Sequence, residues 1–377
     1  MPPTVRGRPL QTTHRSPATA PAAAVWRPKA SSVLAFFASA AVALVLGGCV
    51  VARPVANGAT DAASASPLGA NEPAPVEGAG FALRSLPGVG DSVLQALQRE
   101  ERAAPLRYRV IVVPGSGCAG MGPIADRYFA GLLHAQVLVL HKPGVDPQAR
   151  TAPADCPHLF VWRDRHSTWL AHARVALRAD AALRQGQPVV PQLLVGISEG
   201  AELLPELAAE VPHLAGLVLI GASGLDPQES GALQAHRLGA EADWTALSRI
   251  VAGAPPDTVV VQGRSLGYWR DLWNWPLTLP LLRGPWPLLQ VWGADDALVP
   301  AVAYTRFAEL AALRTAPYCA QRIEGADHGL QRAAARVDGV QQVWAWTEQW
   351  ARQPAAGLCA PLRLLREQQV PSAADTS

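Results

Sequence analysis

The sequence predicts an α/β fold: a mostly parallel central sheet flanked by helices, with an insertion late in the chain. Three observations carry this expectation. From Arg107 onward, short apolar runs alternate with helix-like stretches, the rhythm of βαβ units. The runs are continuously apolar rather than alternating, as in strands covered on both faces. One interval, between Ile220 and Leu288, is far too long for a single crossover helix.

The strand-like runs are Tyr108–Val113, Gln136–Leu140, Gln192–Ile197, Ala215–Ile220, Leu288–Trp292 and Ala320–Ile323. Helix-like stretches lie near Ala125–His134, Thr168–Arg184, Glu199–Glu210, Ala301–Leu313 and Ala335–Ala351. Phe81–Leu106 is the least legible part, readable as one or two edge strands or as a helix. Roughly Gly224–Pro285 is the expected insertion. It holds Trp244, Tyr268, Trp269, Trp273 and Trp275, which either line a site beneath it or pack it against the body.

The amino-terminal part is a different polymer. Met1–Ala30 is rich in Pro, Ala, Thr and Arg, and Arg27 and Lys29 precede an apolar stretch from Val33 to Leu46. That stretch is shorter than the roughly 20 residues a membrane-spanning helix needs, and its length suits the core of a signal peptide. It ends Leu46-Gly47-Gly48-Cys49, which resembles a bacterial lipobox, so residues 1–49 read as a signal with Cys49 as lipidation site and mature terminus. An ordinary cleaved signal and a short uncleaved anchor are the alternatives, and the long basic region places the true start codon nearer Val25. Residues 50–80 are an Ala/Pro/Gly/Ser/Asn tract that reads as a flexible tether. The expected location is the bacterial cell envelope, with membrane contact only through this anchor.

About half of the 377 residues are apolar and 16% are charged, which suits a sizeable core in residues 81–377. A formal charge of +2 and the lack of a Lys/Arg stripe give no reason to expect a nucleic-acid partner. Lysine occurs only at Lys29 and Lys142. Setting Cys49 aside leaves Cys118, Cys156, Cys319 and Cys359. An even number in an exported chain points to disulfides, with three connectivities to choose from. The preferred pairing is Cys118–Cys156, tying the loops after the first two clear strands, with Cys319–Cys359, fastening the tail to the last strand. Four free thiols are the alternative.

Gly196-Ile197-Ser198-Glu199-Gly200 follows the apolar run Gln192-Leu193-Leu194-Val195 and precedes a helix-like stretch from Ala201 to Glu210. A serine on a sharp strand-to-helix turn is strained and exposed, and flanking glycines remove Cβ atoms that would collide there. The N–H of the next residue, Glu199, then points toward an oxyanion formed when the serine attacks a carbonyl. The five-residue pattern is common by chance; its setting makes it informative. Two further loops follow strand-like runs: Gly293-Ala294-Asp295-Asp296-Ala297-Leu298-Val299-Pro300 and Glu324-Gly325-Ala326-Asp327-His328-Gly329. Strand-to-loop junctions are where open α/β sheets place their sites.

Together with Val113-Pro114-Gly115-Ser116-Gly117, these motifs, in the order Ser, Asp, His, resemble the α/β-hydrolase superfamily from roughly Arg107 to Arg352. The resemblance implies Ser198 as nucleophile, His328 as general base and Asp296 as the orienting acid, and it implies that the Gly224–Pro285 insertion is a cap over them. Asp296 is preferred to Asp295 because it lies four residues before Pro300, as in the superfamily pattern; Asp295 reads as a turn or cap residue. The oxyanion amides would be those of Glu199 and Ser116, with Gly115 the rival, since Pro114 stands where many relatives carry His-Gly. The Glu199 carboxylate is expected to face solvent, or else to repel acidic substrates or recognise an amine. His141, at another strand end, reads as solvated or structural rather than as a substrate contact.

The function implied is an exported serine hydrolase that cleaves an ester, thioester or amide through an acyl-enzyme on Ser198. Its substrate would be a small-molecule or short-peptide acyl compound, with no metal or cofactor required. A non-catalytic lipoprotein scaffold of the same fold, an acyltransferase and a peptidase are the alternatives. Halide displacement is disfavoured because it uses a carboxylate nucleophile where this chain has Ser198.

Overall fold

The computed structural model describes residues 80–332 and 337–359. The expected signal, Cys49 and all but the last residue of the tether lie outside the described residues. The described residues open with a hairpin, β1 (Ala82–Pro87) and β2 (Val93–Arg99), so the least legible stretch forms two strands and no helix. It continues through β3 (Tyr108–Val113), α1 (Gly122–Tyr128), β4 (Ala135–Leu140), α2 (His158–Arg163), α3 (His166–Leu183) and β5 (Gln192–Ile197). A 3₁₀ helix (Ser198–Leu203), α4 (Leu204–Leu207) and a second 3₁₀ turn (Ala208–Glu210) lead to β6 (Leu214–Ile220). Next come α5 (Pro227–Leu238), α6 (Glu241–Ala252), the two-residue strands β7 (Val260–Val261) and β8 (Arg264–Ser265), α7 (Leu266–Trp273) and α8 (Thr278–Arg283). The body closes with β9 (Leu288–Gly293), α9 (Ala301–Ala311), β10 (Tyr318–Ile323), the short pair β11 (Gln331–Arg332) and β12 (Val337–Asp338), and α10 (Gly339–Arg352).

The main sheet has the strand order β1-β2-β4-β3-β5-β6-β9-β10. It is parallel from β4 to β10, and β2 joins it antiparallel to both β1 and β4. Successive side chains of one strand point to opposite faces, and each face carries its own core. Ile111, Leu138 and Leu194 pack with Trp169 and Phe307 on one side. Val110, Val137 and Val195 pack with Phe129 and Trp344 on the other. Burial on both faces is the reason these strands read as unbroken apolar runs.

Three expected helices differ. The first, α1, runs from Gly122 to Tyr128 with Phe129 at its end, rather than over Ala125–His134. The helix after β5 is not continuous, because Pro205 sits in the first turn of α4. A proline there removes one helical hydrogen bond and crowds the carbonyl four residues earlier, and the chain before it winds as 3₁₀. The last helix begins at Gly339 rather than near residue 335, capped by Asp338, whose carboxylate accepts the Val340 N–H at 3.0 Å.

The expected insertion runs from α5 to α8. It has a small core of its own, with Trp269, Leu266 and Leu272 buried. Trp244 stacks on Trp273 with ring centroids 4.6 Å apart. Asp226 caps it back on itself, accepting the amides of Leu277 and Thr278 at 2.6 and 2.8 Å. Packing therefore accounts for Trp244, Trp269 and Trp273. Both preferred disulfides are present: Cys118–Cys156 and Cys319–Cys359, with Cα atoms 5.7 and 5.5 Å apart. Among the described residues no helix is long and apolar enough to cross a membrane.

Candidate active site

Strand β5 is buried along nearly its whole length and delivers Ser198 at its carboxyl end. Ser198 has φ +52°, in the left-handed region that costs a non-glycine residue about 1–2 kcal/mol. The turn is sterically closed around it. A Cβ on Gly196 would lie 2.2 Å from the Ala201 Cα, and one on Gly200 would lie 2.2 Å from the carbonyl oxygens of Pro114 and Val113. Only glycine fits at either position, so β3, β5 and the following 3₁₀ helix approach one another at backbone distance.

His328 stands in the loop after β10 and Asp296 in the loop after β9. His328 Nε2 lies 3.0 Å from Ser198 Oγ, and His328 Nδ1 lies 2.8 Å from Asp296 Oδ2. The Asp296 carboxylate accepts three further hydrogen bonds: Tyr304 OH at 2.7 Å on Oδ2, and the amides of Leu298 and Val299 at 2.8 and 3.0 Å on Oδ1. Burial pushes this carboxyl up, but the His328 ring and the other donors outweigh it and hold it below the usual carboxylate range. Tyr304 is itself fixed by stacking on Trp292, with centroids 4.9 Å apart and planes 9° from parallel. Asp295 is exposed, its amide donating to the Ala326 carbonyl at 2.9 Å. Asp327 accepts the Gln331 amide at 2.9 Å. The structure thus brings Asp296, and neither neighbouring acid, to the ring.

Ser116, Ser198, Glu199 and His328 line one cavity of about 80 Å³. The Ser116 amide donates to no carbonyl or side chain among the described residues. The Glu199 amide belongs to the first turn of a helix, where N–H groups lack an intrahelical acceptor. Arg264, Tyr268, Leu272 and Leu277 of the insertion close the cavity on the far side. The Cys118–Cys156 bridge holds the loop that carries Ser116.

The Glu199 side chain departs from expectation. It is buried rather than solvated. Lys142 Nζ donates to its Oε1 at 2.5 Å, Tyr268 OH donates to Oε2 at 3.3 Å, and Arg264 lies 3.7 Å from Oε2. Asp164 completes a buried network, accepting from Lys142 at 2.9 Å and from Arg264 at 2.6 Å. Burial works against the Glu199 carboxylate, but Lys142, Arg264 and His166 outweigh it and bring it down to about 2. An ion taken out of water needs such partners. His141 is likewise buried, not solvated: its Nε2 accepts the Met121 amide at 3.0 Å, and burial lowers the ring to about 4.

Sequence reasoning passed over Lys142, Asp164, Arg264, His166 and Glu202. One signal was available. In a chain that otherwise uses arginine, a lysine at a strand end marks a place where guanidinium does not serve. Lys142 lies over the Trp169 ring at 4.6 Å.

No protein-family model matches the sequence, and no curated protein does. Among solved structures, an esterase from Pyrobaculum calidifontis is similar, with a TM-score of 0.51 at 16% identity over 73% of this chain and 86% of that one. The chain has the α/β-hydrolase fold. A puromycin-hydrolyzing peptidase from Mycobacterium tuberculosis is also similar, with a TM-score of 0.48 at 17% identity over 74% of this chain and 40% of that one. The chain thus spans less than half of that peptidase's length. Est1E from Butyrivibrio proteoclasticus gives 0.46 at 13% identity, over 73% and 99%. At such identities these likenesses concern the fold alone.

Proposed function

We propose that this chain is an exported serine hydrolase that cleaves a small-molecule or short-peptide ester, thioester or amide through an acyl-enzyme on Ser198. The observation that carries the reading is the unbroken line from Ser198 Oγ through the His328 ring to Asp296, with steps of 3.0 and 2.8 Å. His328 Nε2 accepts the Ser198 proton as Oγ attacks the carbonyl, and returns it to the leaving group. Asp296 holds the tautomer with its proton on Nδ1 and stabilises the imidazolium. The amides of Ser116 and Glu199 receive the oxyanion. Water then cleaves the acyl-serine by the same proton route.

The cavity is small, which favours a short acyl group. The Pyrobaculum protein of the same fold is an esterase, in keeping with this chemistry. The two disulfides suit an oxidising compartment, and Cys49 is the proposed lipid attachment to the envelope. The test is Ser198→Ala in the full chain, read by fluorophosphonate labelling and by turnover of 4-nitrophenyl butyrate. Labelling should vanish and turnover fall by about 10⁴-fold or more. Undiminished turnover in that variant would exclude the assignment.

A further inference from the structure

Glu199 and Glu202 belong to the 3₁₀ helix Ser198–Leu203, in which residues three apart eclipse one another. Both side chains are thereby turned to the cavity that holds Ser198 and His328. Their circumstances differ. Both Glu199 oxygens are taken up by Lys142, Tyr268 and Arg264. Glu202 has one side-chain partner: its Oε2 meets His166 Nε2 at 2.5 Å. Among the described residues nothing donates to its Oε1, and the side chain keeps 19% of its surface open. A carboxylate offers about four lone-pair positions, so one oxygen at the cavity wall is left for a ligand.

That oxygen can only accept, so the ligand must bring a donor, and an ammonium makes the stronger, charge-assisted bond. The permanent cations Lys142 and Arg264 pair with Glu199 and Asp164, and Glu202 pairs with His166. Arg264 is engaged by Asp164 and Glu199 and lies over the Tyr268 ring at 4.7 Å. Glu202 is therefore neutralised only as far as the buried His166 is protonated, and a balanced pair still leaves Oε1 without a donor among the described residues. Burial opposes that protonation, but Glu202 and Glu199 outweigh it and hold the ring above its ordinary range. Burial also raises the Glu202 carboxyl, and an ammonium brought to Oε1 would draw it back to the ionised form.

We propose that Glu202 is a specificity-determining residue, accepting a hydrogen bond from an ammonium group on the acyl part of the substrate. The site then takes aminoacyl esters or amides in preference to neutral acyl compounds of the same size. A cavity of about 80 Å³ confines the amine near the carbonyl, as in a glycyl or alanyl group. The amine-recognising carboxylate is thus one helical turn from Glu199, for which the sequence offers that role only as an alternative to facing solvent. The inference rests on the serine hydrolase reading above.

The test compares 4-nitrobenzyl esters of L-alanine, propionic acid and succinic acid (as the half-ester) on the full chain, each rate divided by that of hydroxide-catalysed hydrolysis. The alanyl-to-propionyl ratio of kcat/KM should exceed about 10 in the wild type and fall at least about tenfold in Glu202→Gln, the scale of a lost charge-assisted hydrogen bond. Glu202→Asp should recover part of the ratio. Equal ratios in wild type and Glu202→Gln, or a preference for the succinyl ester, would overturn the proposal. Should Glu202→Gln fail to fold, ethylammonium and ethanol are compared as competitive inhibitors of propionyl ester turnover by the wild type. Ethylammonium inhibiting at tenfold lower concentration supports the proposal, and equal inhibition overturns it. Propionyl turnover without an amine preference defeats this inference alone; no turnover of any ester defeats the hydrolase reading with it.

Discussion

Replacing Asp296 by Asn separates the shape of the site from its charge. The native carboxylate accepts four hydrogen bonds: two backbone amides on Oδ1, and Tyr304 OH and the His328 ring on Oδ2. Asparagine has one oxygen to offer. If that oxygen turned to His328 and Tyr304, the amides of Leu298 and Val299 would lose their acceptor, at about 1–3 kcal/mol each. The cheaper arrangement keeps the oxygen on the two amides and points the NH₂ at His328 Nδ1. That ring nitrogen must then accept, its proton moves to Nε2, and Nε2 no longer takes the proton of Ser198. A wrong tautomer of this kind costs about 10⁴-fold in kcat, or about 5.5 kcal/mol of barrier. The assay is steady-state turnover of 4-nitrophenyl butyrate beside the rate of fluorophosphonate labelling, with a thermal melt to confirm the fold. KM should change little. An Asp296→Asn protein that keeps more than about a tenth of wild-type kcat, or an Asp295→Asn protein that loses more than it does, would refute the reasoning.

Two further outcomes are expected. Burial holds His141 at about 4 against an ordinary 6.5, so the unfolded chain takes up that proton first. Stability should therefore fall as pH drops from about 6.5 to about 4, by about 3 kcal/mol in full. Urea midpoints across that window should show a shallower acid limb in His141→Gln, and an unchanged limb would count against the assignment. The Cys118–Cys156 bridge spans 38 residues; replacing both cysteines by serine should cost about 4 kcal/mol by loop entropy. Because Cys118 lies close to Ser116, kcat should fall more than KM rises in that double variant. Unaltered kcat and midpoint would argue against it.

The strands β3 and β5, which carry Ser116 and Ser198, were legible because they are buried on both faces and read as apolar runs. Tyr108–Val113 and Gln192–Ile197 begin and end where the sequence places them. The elbow was legible because Gly196 and Gly200 are demanded by contacts to backbone atoms, which no side-chain rearrangement relieves. The break at Pro205 was written in the sequence and passed over. The surroundings of Glu199 were not legible, since they depend on where Lys142, at the end of β4, and Arg264, in the insertion, arrive in space. Residue spacing does not reveal that the turn after Ser198 is 3₁₀ rather than α, although Glu202, three residues on, shares a face with Glu199 in either.

Of the chain's two lysines, only Lys142 lies among the described residues, and it is buried between Glu199 and Asp164. A reagent that acylates primary amines therefore reaches this one ε-amino group in the body only when the insertion bearing Arg264 lifts or the chain unfolds. The modification rate at that single position, followed by mass spectrometry, would act as a clock for local opening above Ser198, free of the background that a lysine-rich surface imposes.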